Sequence, residues 1–384
     1  MLIKSKKVWV LGQFLPLIIE IKDEKITNIY DYNDKKNVDY DFLNNRIFPG
    51  FIDIHTHGAY GFDTNDAEEE GLKTWAEKLP EEGVTSFLPT TITQKEEVLI
   101  KALENIKKVA NSNYKGAEIL GVNFEGPYLD EEKRGAQPLN CLQKPDINQF
   151  KKYFQASGNL IKIITMACEK DKNFELTKYI ASLGIKVSLG HSSATYKQSA
   201  LSFLNGASSQ THVFNGMSGF HHRENGQVGF ALSSSTEYGE IITDGIHSTI
   251  QALKIFFNAK GKNYALMVTD CLCAKGLKEG KYIFGGENIT IYPDGSAHRD
   301  DGRLAGSTLK ISNGLKILIE KANIDMESAI NSCTINPAKF LGIDNKKGKI
   351  KVGCDADITV LDDEYNTLFT LTKGKIAFKN FSKK

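Results

Sequence analysis

The stretch PGFIDIHTHG, Pro49–Gly58, decides how the rest of the chain is interpreted. It has the composition of a buried strand, in which successive side chains point to opposite faces. Its two isoleucines therefore share one face, whereas Asp53, His55 and His57 share the other. Two imidazoles on one face of an apolar strand point toward the same place, and this arrangement is typical of a metal site.

Seven more short apolar runs follow this strand, and amphipathic helical stretches separate most of them. Eight strands alternating with helices predict a parallel (β/α)₈ barrel of the TIM type. The eight predicted strands are Phe51–His55, Ser86–Pro89, Ile119–Phe124, Lys162–Met166, Lys186–Leu189, Ser209–His212, Glu240–Thr243 and Ala265–Thr269.

Both ends of the chain differ from this pattern, because they contain strand-like runs separated by polar turns and no clear helical period. The predicted terminal strands are Lys7–Leu11, Leu15–Ile21, Ile26–Tyr30, Ala356–Leu361, Thr367–Thr372 and Lys375–Phe378.

Composition excludes several classes of protein. The 384 residues are 41% hydrophobic and 25% charged, which is typical of a globular enzyme-sized chain. The net charge of +1 gives no support for a nucleic acid or an acidic membrane as partner. Six scattered cysteines without a C-x-x-C pair favour a reducing compartment. No apolar run is long enough to span a bilayer, and Pro16 interrupts the only signal-like stretch, so we expect a cytoplasmic protein.

Residues able to do chemistry follow most of the predicted barrel strands. Since the carboxyl ends of barrel strands form one rim, we expect these side chains to converge there. Imidazoles and carboxylates suit Zn²⁺ or Fe²⁺, and the set is larger than one tetrahedral ion needs, so two ions sharing Glu125 would use all of it. The predicted ligands are His55, His57, Glu125, His191, His212 and Asp270.

Simpler explanations apply to single members of this set. A lone histidine on an apolar strand is usually a buried core residue with a satisfied hydrogen bond. Six such residues at strand ends favour the metal site instead. Asp53 is interpreted as a buried hydrogen-bond partner, Cys271 and Cys273 as small filler residues, and His298 as a surface residue.

The chain resembles the amidohydrolase superfamily in its first strand, and further runs resemble its N-acetylglucosamine-6-phosphate deacetylase family. The runs that carry the resemblance are NFEGPYLDEEKRGAQ (123–137), GHSSA (190–194), THVFNGMSGFHHRENG (211–226), TDGIHS (243–248), VTDCLCAKG (268–276), LAGSTL (304–309) and CTINPAKFLGI…KGKIKVGCDADITVLD (333–362).

The resemblance implies a barrel over residues 49–344 and a small β-sandwich domain built from residues 1–48 and 345–384. It implies metal-dependent hydrolysis of N-acetylglucosamine 6-phosphate to glucosamine 6-phosphate and acetate, in amino-sugar catabolism or recycling, by a homodimer. Another amide hydrolase of the superfamily, resembling a D-aminoacylase or a cyclic-amide hydrolase, is the alternative. Many of those use a carbamylated lysine where this chain has Glu125. A non-catalytic scaffold on the same barrel would have lost metal ligands, and none is lost.

The resemblance also implies roles for individual residues. Glu125, His191 and His212 match the ligands of the metal that every member holds, and His55 and His57 match a pair kept in two-metal members. Asp270 matches the catalytic acid/base, and Arg223 matches a phosphate contact that reaches into a partner subunit. The substrate-binding set implied in this way is Gln137, Asn215, Gly216, Arg223, His247, Leu304, Ala305, Gly306 and Ser307.

The sequence departs from the usual family pattern at four places. Gln137 replaces a histidine that many members use to polarise the acetamide, and Gly216 replaces an alanine. Asn225 replaces a proline beside Arg223, which affects the placement of that arginine. Cys271 and Cys273 replace smaller residues in the wall of the pocket.

Overall fold

A computed structural model describes residues 1–381, and its centre is a barrel of eight parallel strands. The third strand is broken into two short pieces that both pair with the second. The barrel closes where the Asp270 amide donates to the His55 carbonyl at 2.8 Å. The predicted (β/α)₈ fold is therefore confirmed. The strands are Phe51–Thr56, Val84–Thr91, Glu118–Ile119 with Val122–Glu125, Ile161–Met166, Lys186–Leu189, Ala207–Gln210, Tyr238–Ile242 and Ala265–Val268.

Alternation along each strand separates the helix-facing side chains from those that face the lumen. Phe87 of the second strand packs on Trp75 of a helix, with ring centroids 5.0 Å apart. Phe124 of the third strand packs on Tyr153 in the same way at 4.9 Å. Because Phe124 faces the helices, the next residue, Glu125, faces the lumen.

Ten α-helices are found in residues 1–381, and most of them surround the barrel. Side-chain caps begin several of them; for example, Thr195 and Gln198 form a capping box. Among the described residues, no helix is both long and apolar enough to cross a membrane. The helices are Glu69–Lys78, Glu96–Ala110, Ile147–Ala156, Glu175–Ser182, Tyr196–Leu204, Gly226–Ser233, Ile250–Tyr264, Ile311–Lys316, Met326–Ser332 and Ile335–Phe340.

The chain ends form a second sheet with an apolar core of its own. Arg46–Pro49 pairs antiparallel with Ile358–Leu361, and this pairing joins the two ends of the chain. All six predicted terminal strands lie in this single sheet, whereas the bounds chosen for the two domains stay a prediction. The strands are Leu2–Val10, Gln13–Lys22, Lys25–Asp31, Tyr40–Asp41, Arg46–Pro49, Ile358–Leu361, Thr367–Thr372 and Lys375–Lys379.

An antiparallel three-stranded sheet follows the eighth barrel strand, and the sequence did not predict it. Its strands are Gly280–Phe284, Glu287–Ile291 and Ala297–Arg299, which we call the insert. A two-stranded ribbon, Gly58–Ala59 with Phe62–Asp63, follows the first barrel strand. His298, which we interpreted as a surface residue, is half-buried, and its ring nitrogens lie 3.1 Å from the Gly302 carbonyl and from Ser296 Oγ, on either side of the third strand of the insert.

Candidate active site

All six predicted metal ligands meet at the carboxyl ends of the barrel strands. His55, His57 and Glu125 form one group able to hold a metal, and Glu125, His191 and His212 form a second. Asp270 completes the cluster, because its Oδ1 lies 3.1 Å from His57 Nε2 and 3.6 Å from His55 Nε2. Glu125 belongs to both groups and lies between them.

Each of the four histidines has its Nδ1 next to an acceptor. The acceptors hold the proton on Nδ1, so the Nε2 lone pair of each ring faces the centre. The acceptors are the Glu240 carboxylate for His55 (2.9 Å) and the carbonyls of Thr90 for His57 (3.2 Å), Lys133 for His191 (2.8 Å) and Asn215 for His212 (3.1 Å).

A divalent cation fits this donor set. Glu125 Oε1 is buried without a hydrogen-bond partner. It lies 3.3 Å from Nε2 of both His191 and His212 and 3.5 Å from Nε2 of His55. Lone pairs that face a buried carboxylate oxygen repel it, and a cation between them removes that cost.

The local field is strongly negative. Burial lowers the pKa of His55, but the Glu240 and Glu125 carboxylates outweigh it and raise that pKa to about 10, so the site favours a positive charge at Nε2, which a divalent cation supplies in place of a proton. Burial raises the pKa of Asp270, yet its hydrogen bond to His57 and the nearby imidazoles lower it to about 2. The Asp270 carboxylate therefore stays ionised, and the negative field attracts positive charge to the centre.

Three of the six ligands have a left-handed backbone that non-glycine residues rarely adopt. The φ angles are 47° at His191, 26° at His212 and 49° at Asp270. The surrounding structure holds the turn at Asp270, since its carbonyl accepts from the Ser307 amide at 2.7 Å. Strain of this kind concentrates where function requires a side chain at one position.

Glu240 is a site residue that the sequence analysis missed. Its side chain is fully buried, and Oε2 accepts from His55 Nδ1 and, at 3.3 Å, from the His212 amide. It thus connects one ligand from each metal-binding group. An acid inside the apolar run GEIIT was the available signal. Asp53 is the buried hydrogen-bond partner that we expected, and it accepts from Thr269 Oγ1 at 2.6 Å.

A cavity opens above the six ligands, and most of the predicted substrate-binding residues line it. Gln137 Nε2 donates to Glu125 Oε2 at 2.5 Å, and its Oε1 accepts from the Thr93 amide at 2.7 Å. His247 Nδ1 lies 2.7 Å from Asp244 Oδ2, which leaves Nε2 as its free nitrogen. The predicted residues in the lining are Gln137, Asn215, Gly216, His247, Leu304, Ala305 and Gly306.

Two predicted substrate-binding residues lie outside this lining. Ser307 is buried behind the loop, where its hydroxyl donates to the Thr269 carbonyl. Arg223 is exposed, with Nη1 2.7 Å from His222 Nε2. Its expected contact with the site of a second subunit stays a prediction. Cys271 is a buried filler residue, as we interpreted it, with Sγ 2.9 Å from the Leu309 carbonyl.

Four lining residues were not predicted from the sequence. The most prominent is Phe284 of the insert, whose ring centroid lies 5.4 Å from that of His57 at an interplanar angle of 70°. The insert therefore contributes one side chain to the cavity wall. The four residues are Ile92, Gly135, Ala136 and Phe284.

Comparison with known proteins places this site in a family. The model of the Amidohydrolase family matches residues 46–382. The N-acetylglucosamine-6-phosphate deacetylase of Bacillus subtilis is 41% identical over 335 residues, covering 86% of this chain and 84% of the relative. The enzyme of that name from Lysinibacillus sphaericus is 34% identical over 357 residues, covering 93% and 92%. The crystal structure of N-acetylglucosamine-6-phosphate deacetylase from Pasteurella multocida superposes with a TM-score of 0.91 at 28% identity, covering 98% of this chain and 99% of that one.

Proposed function

Because this chain belongs to the amidohydrolase family and, within it, to the N-acetylglucosamine-6-phosphate deacetylases, we propose that it hydrolyses N-acetylglucosamine 6-phosphate to glucosamine 6-phosphate and acetate. The observation that carries the proposal is the pair of ligand groups that share Glu125 at the floor of a cavity. Such a reaction belongs to the catabolism or recycling of amino sugars. Six free cysteines, all buried, support a reducing cytoplasmic location.

The amidohydrolase family is metal-dependent, and the histidines and Glu125 are able to hold one or two ions. Zn²⁺ and Fe²⁺ are the ions that best suit these donors. A divalent metal, when bound, lowers the pKa of water and polarises a carbonyl, which addresses the low reactivity of both partners in amide hydrolysis. Glu240 and the three backbone carbonyls keep the imidazoles aimed at the centre.

Asp270 moves the proton. Its carboxylate is ionised and lies at the rim of the ligand cluster, so it accepts a proton from the attacking water. A C–O bond to the water oxygen forms and the C–N bond breaks. Asp270 then passes the same proton to the sugar nitrogen, which leaves as an amine because it cannot leave as an anion.

The polar wall of the cavity binds the sugar phosphate. His247, oriented by Asp244, and Asn215 donate to the phosphate, and the Gly216 amide adds a backbone donor. Arg223 from the second subunit of a homodimer contributes a bidentate contact. The loop Leu304–Ser307 covers the sugar, and Gln137 holds Glu125 in place.

The test is acetate release by protein that has been stripped with a chelator and then reconstituted with Zn²⁺ or Fe²⁺. The expected result is release from N-acetylglucosamine 6-phosphate that vanishes on stripping and returns with metal. If metal-loaded protein released no acetate but hydrolysed an N-acyl D-amino acid or a cyclic amide, the substrate assignment would be wrong and the hydrolytic centre would stand.

A further inference from the structure

One end of the cavity is apolar, although the ligand cluster beside it is polar. Ile92, Ala136 and Phe284 come from three separate segments, line the cavity and pack in one apolar cluster, and Phe284 contacts His57. Ile92 is 1% exposed and Phe284 is 4% exposed, and both belong to one buried cluster against which Ala136 packs. Neither the metal centre nor the phosphate contacts explain a hydrophobic wall at this place.

The proposed phosphate contacts and the topology of the barrel together give the direction in which a bound amide points. Asn215 and His247 follow the sixth and seventh strands, whereas Ile92 follows the second. The second and sixth strands lie opposite each other in a ring of eight. A carbonyl carbon held between Glu125 and Asp270, with its sugar toward the sixth and seventh strands, therefore directs its methyl group toward the second.

We propose that Ile92, Ala136 and Phe284 form the acyl pocket, which receives the methyl group of the acetyl substituent and limits the length of the acyl chain. The inference rests on the proposed deacetylase function and deepens it, since it assigns specificity for the acyl group to named side chains. Burying the acetyl methyl group against three apolar side chains removes it from water, and this favours binding of the acetyl group in the pocket.

The insert holds the far wall of the acyl pocket in place. A Cβ added at Gly285 would lie 2.8 Å from Ile92 Cδ1, so the backbone of the insert contacts that side chain directly. Gln94 Nε2 donates to the Gly285 carbonyl at 3.3 Å, and Arg299 Nη1 donates to the Gly135 carbonyl at 2.6 Å. Because these hydrogen bonds hold the wall in place at both edges, the pocket resists expansion. A longer acyl chain would therefore clash with Phe284.

The experiment measures kcat/KM for N-acetyl-, N-propionyl- and N-butyryl-glucosamine 6-phosphate. In the unaltered protein each added methylene should reduce kcat/KM by roughly 10- to 200-fold, the usual discrimination of an apolar pocket. Phe284→Ala should reduce the acetyl-to-butyryl ratio at least about tenfold. Ile283→Ala is the matched control, since Ile283 is the preceding residue and is 66% exposed. Its ratio should match that of the unaltered protein.

The ratio of two substrates on one preparation does not depend on the fraction of active protein, so partial misfolding of Phe284→Ala cannot mimic the effect. A second variant acts in the opposite direction: Ala136→Leu should lower kcat/KM for N-acetyl relative to N-formyl substrate at least about tenfold. Unchanged ratios in both variants would overturn the acyl pocket and leave the deacetylase intact. No hydrolysis of the acetyl substrate by the unaltered protein would overturn both.

Discussion

Replacing Glu240 by glutamine tests whether the carboxylate behind the histidines governs metal binding. The variant keeps the size and shape of the side chain but removes its charge. The hydrogen bond from His55 Nδ1 to Glu240 spans 2.9 Å between two fully buried side chains, so no water replaces it. A charge-assisted bond contributes about 1.5–3 kcal/mol and a neutral one about 0.5–1.5 kcal/mol. The loss is thus about 1–2 kcal/mol, or roughly a 5- to 30-fold drop in metal affinity, which overlaps the range seen for outer-shell substitutions.

The assay is the metal content per chain after equilibration with a graded series of chelator concentrations. Glu240→Gln should lose metal at a chelator concentration about 5- to 30-fold lower than the unaltered protein does. Glu237→Gln is the control, because that acid is half-buried, lies just before the same strand and contacts no ligand. Equal metal retention in Glu240→Gln and the unaltered protein would refute the role of Glu240.

Three further predictions concern proton transfer, phosphate binding and the stability of the fold. Asp270→Asn should lower kcat by about 10²–10⁴-fold with metal still bound, and near-normal turnover would remove Asp270 from proton transfer. Arg223→Ala should mainly raise KM for the phosphorylated sugar, whereas an unchanged KM would exclude Arg223 from the site. Burial lowers the pKa of Lys260 from 10.5 to about 8, although the nearby Glu237 opposes this shift. Between pH 8 and 10.5 the unfolded chain therefore binds more protons at this residue than the folded protein does, and the stability of the fold rises with pH. Denaturant titration should show the unaltered protein gaining stability relative to Lys260→Met from pH 8 to 10; a flat or falling difference would contradict this pKa.

The sequence predicted the barrel and the convergence of its ligands for a simple reason. Parallel strands buried on both faces are short continuous apolar runs, which are easy to recognise. Once eight of them alternate with helices, the residue that follows each strand has a known place on the rim. His55, Glu125 and Asp270 could therefore be brought together although they are far apart in the chain.

The features that the sequence analysis missed depend on long-range packing. Glu240 lies within a strand rather than at its end, and its role depends on the positions of His55 and His212. Phe284 belongs to a five-residue strand in which buried positions are few, so its hydrophobic pattern is weak. Its contact with His57 depends on how the insert folds back over the rim. The burial of Ser307 is likewise set by its neighbours Thr269 and Asp270.

The most direct test of the proposed function is the rate of amine release from N-acetylglucosamine 6-phosphate compared with unphosphorylated N-acetylglucosamine, using metal-reconstituted protein. The two charge-assisted contacts proposed for the phosphate, from Arg223 and His247, contribute about 1.5–3 kcal/mol each. Together they predict a preference of at least about 100-fold in kcat/KM for the phosphorylated sugar. Equal values of kcat/KM for the two sugars would contradict the account of the site.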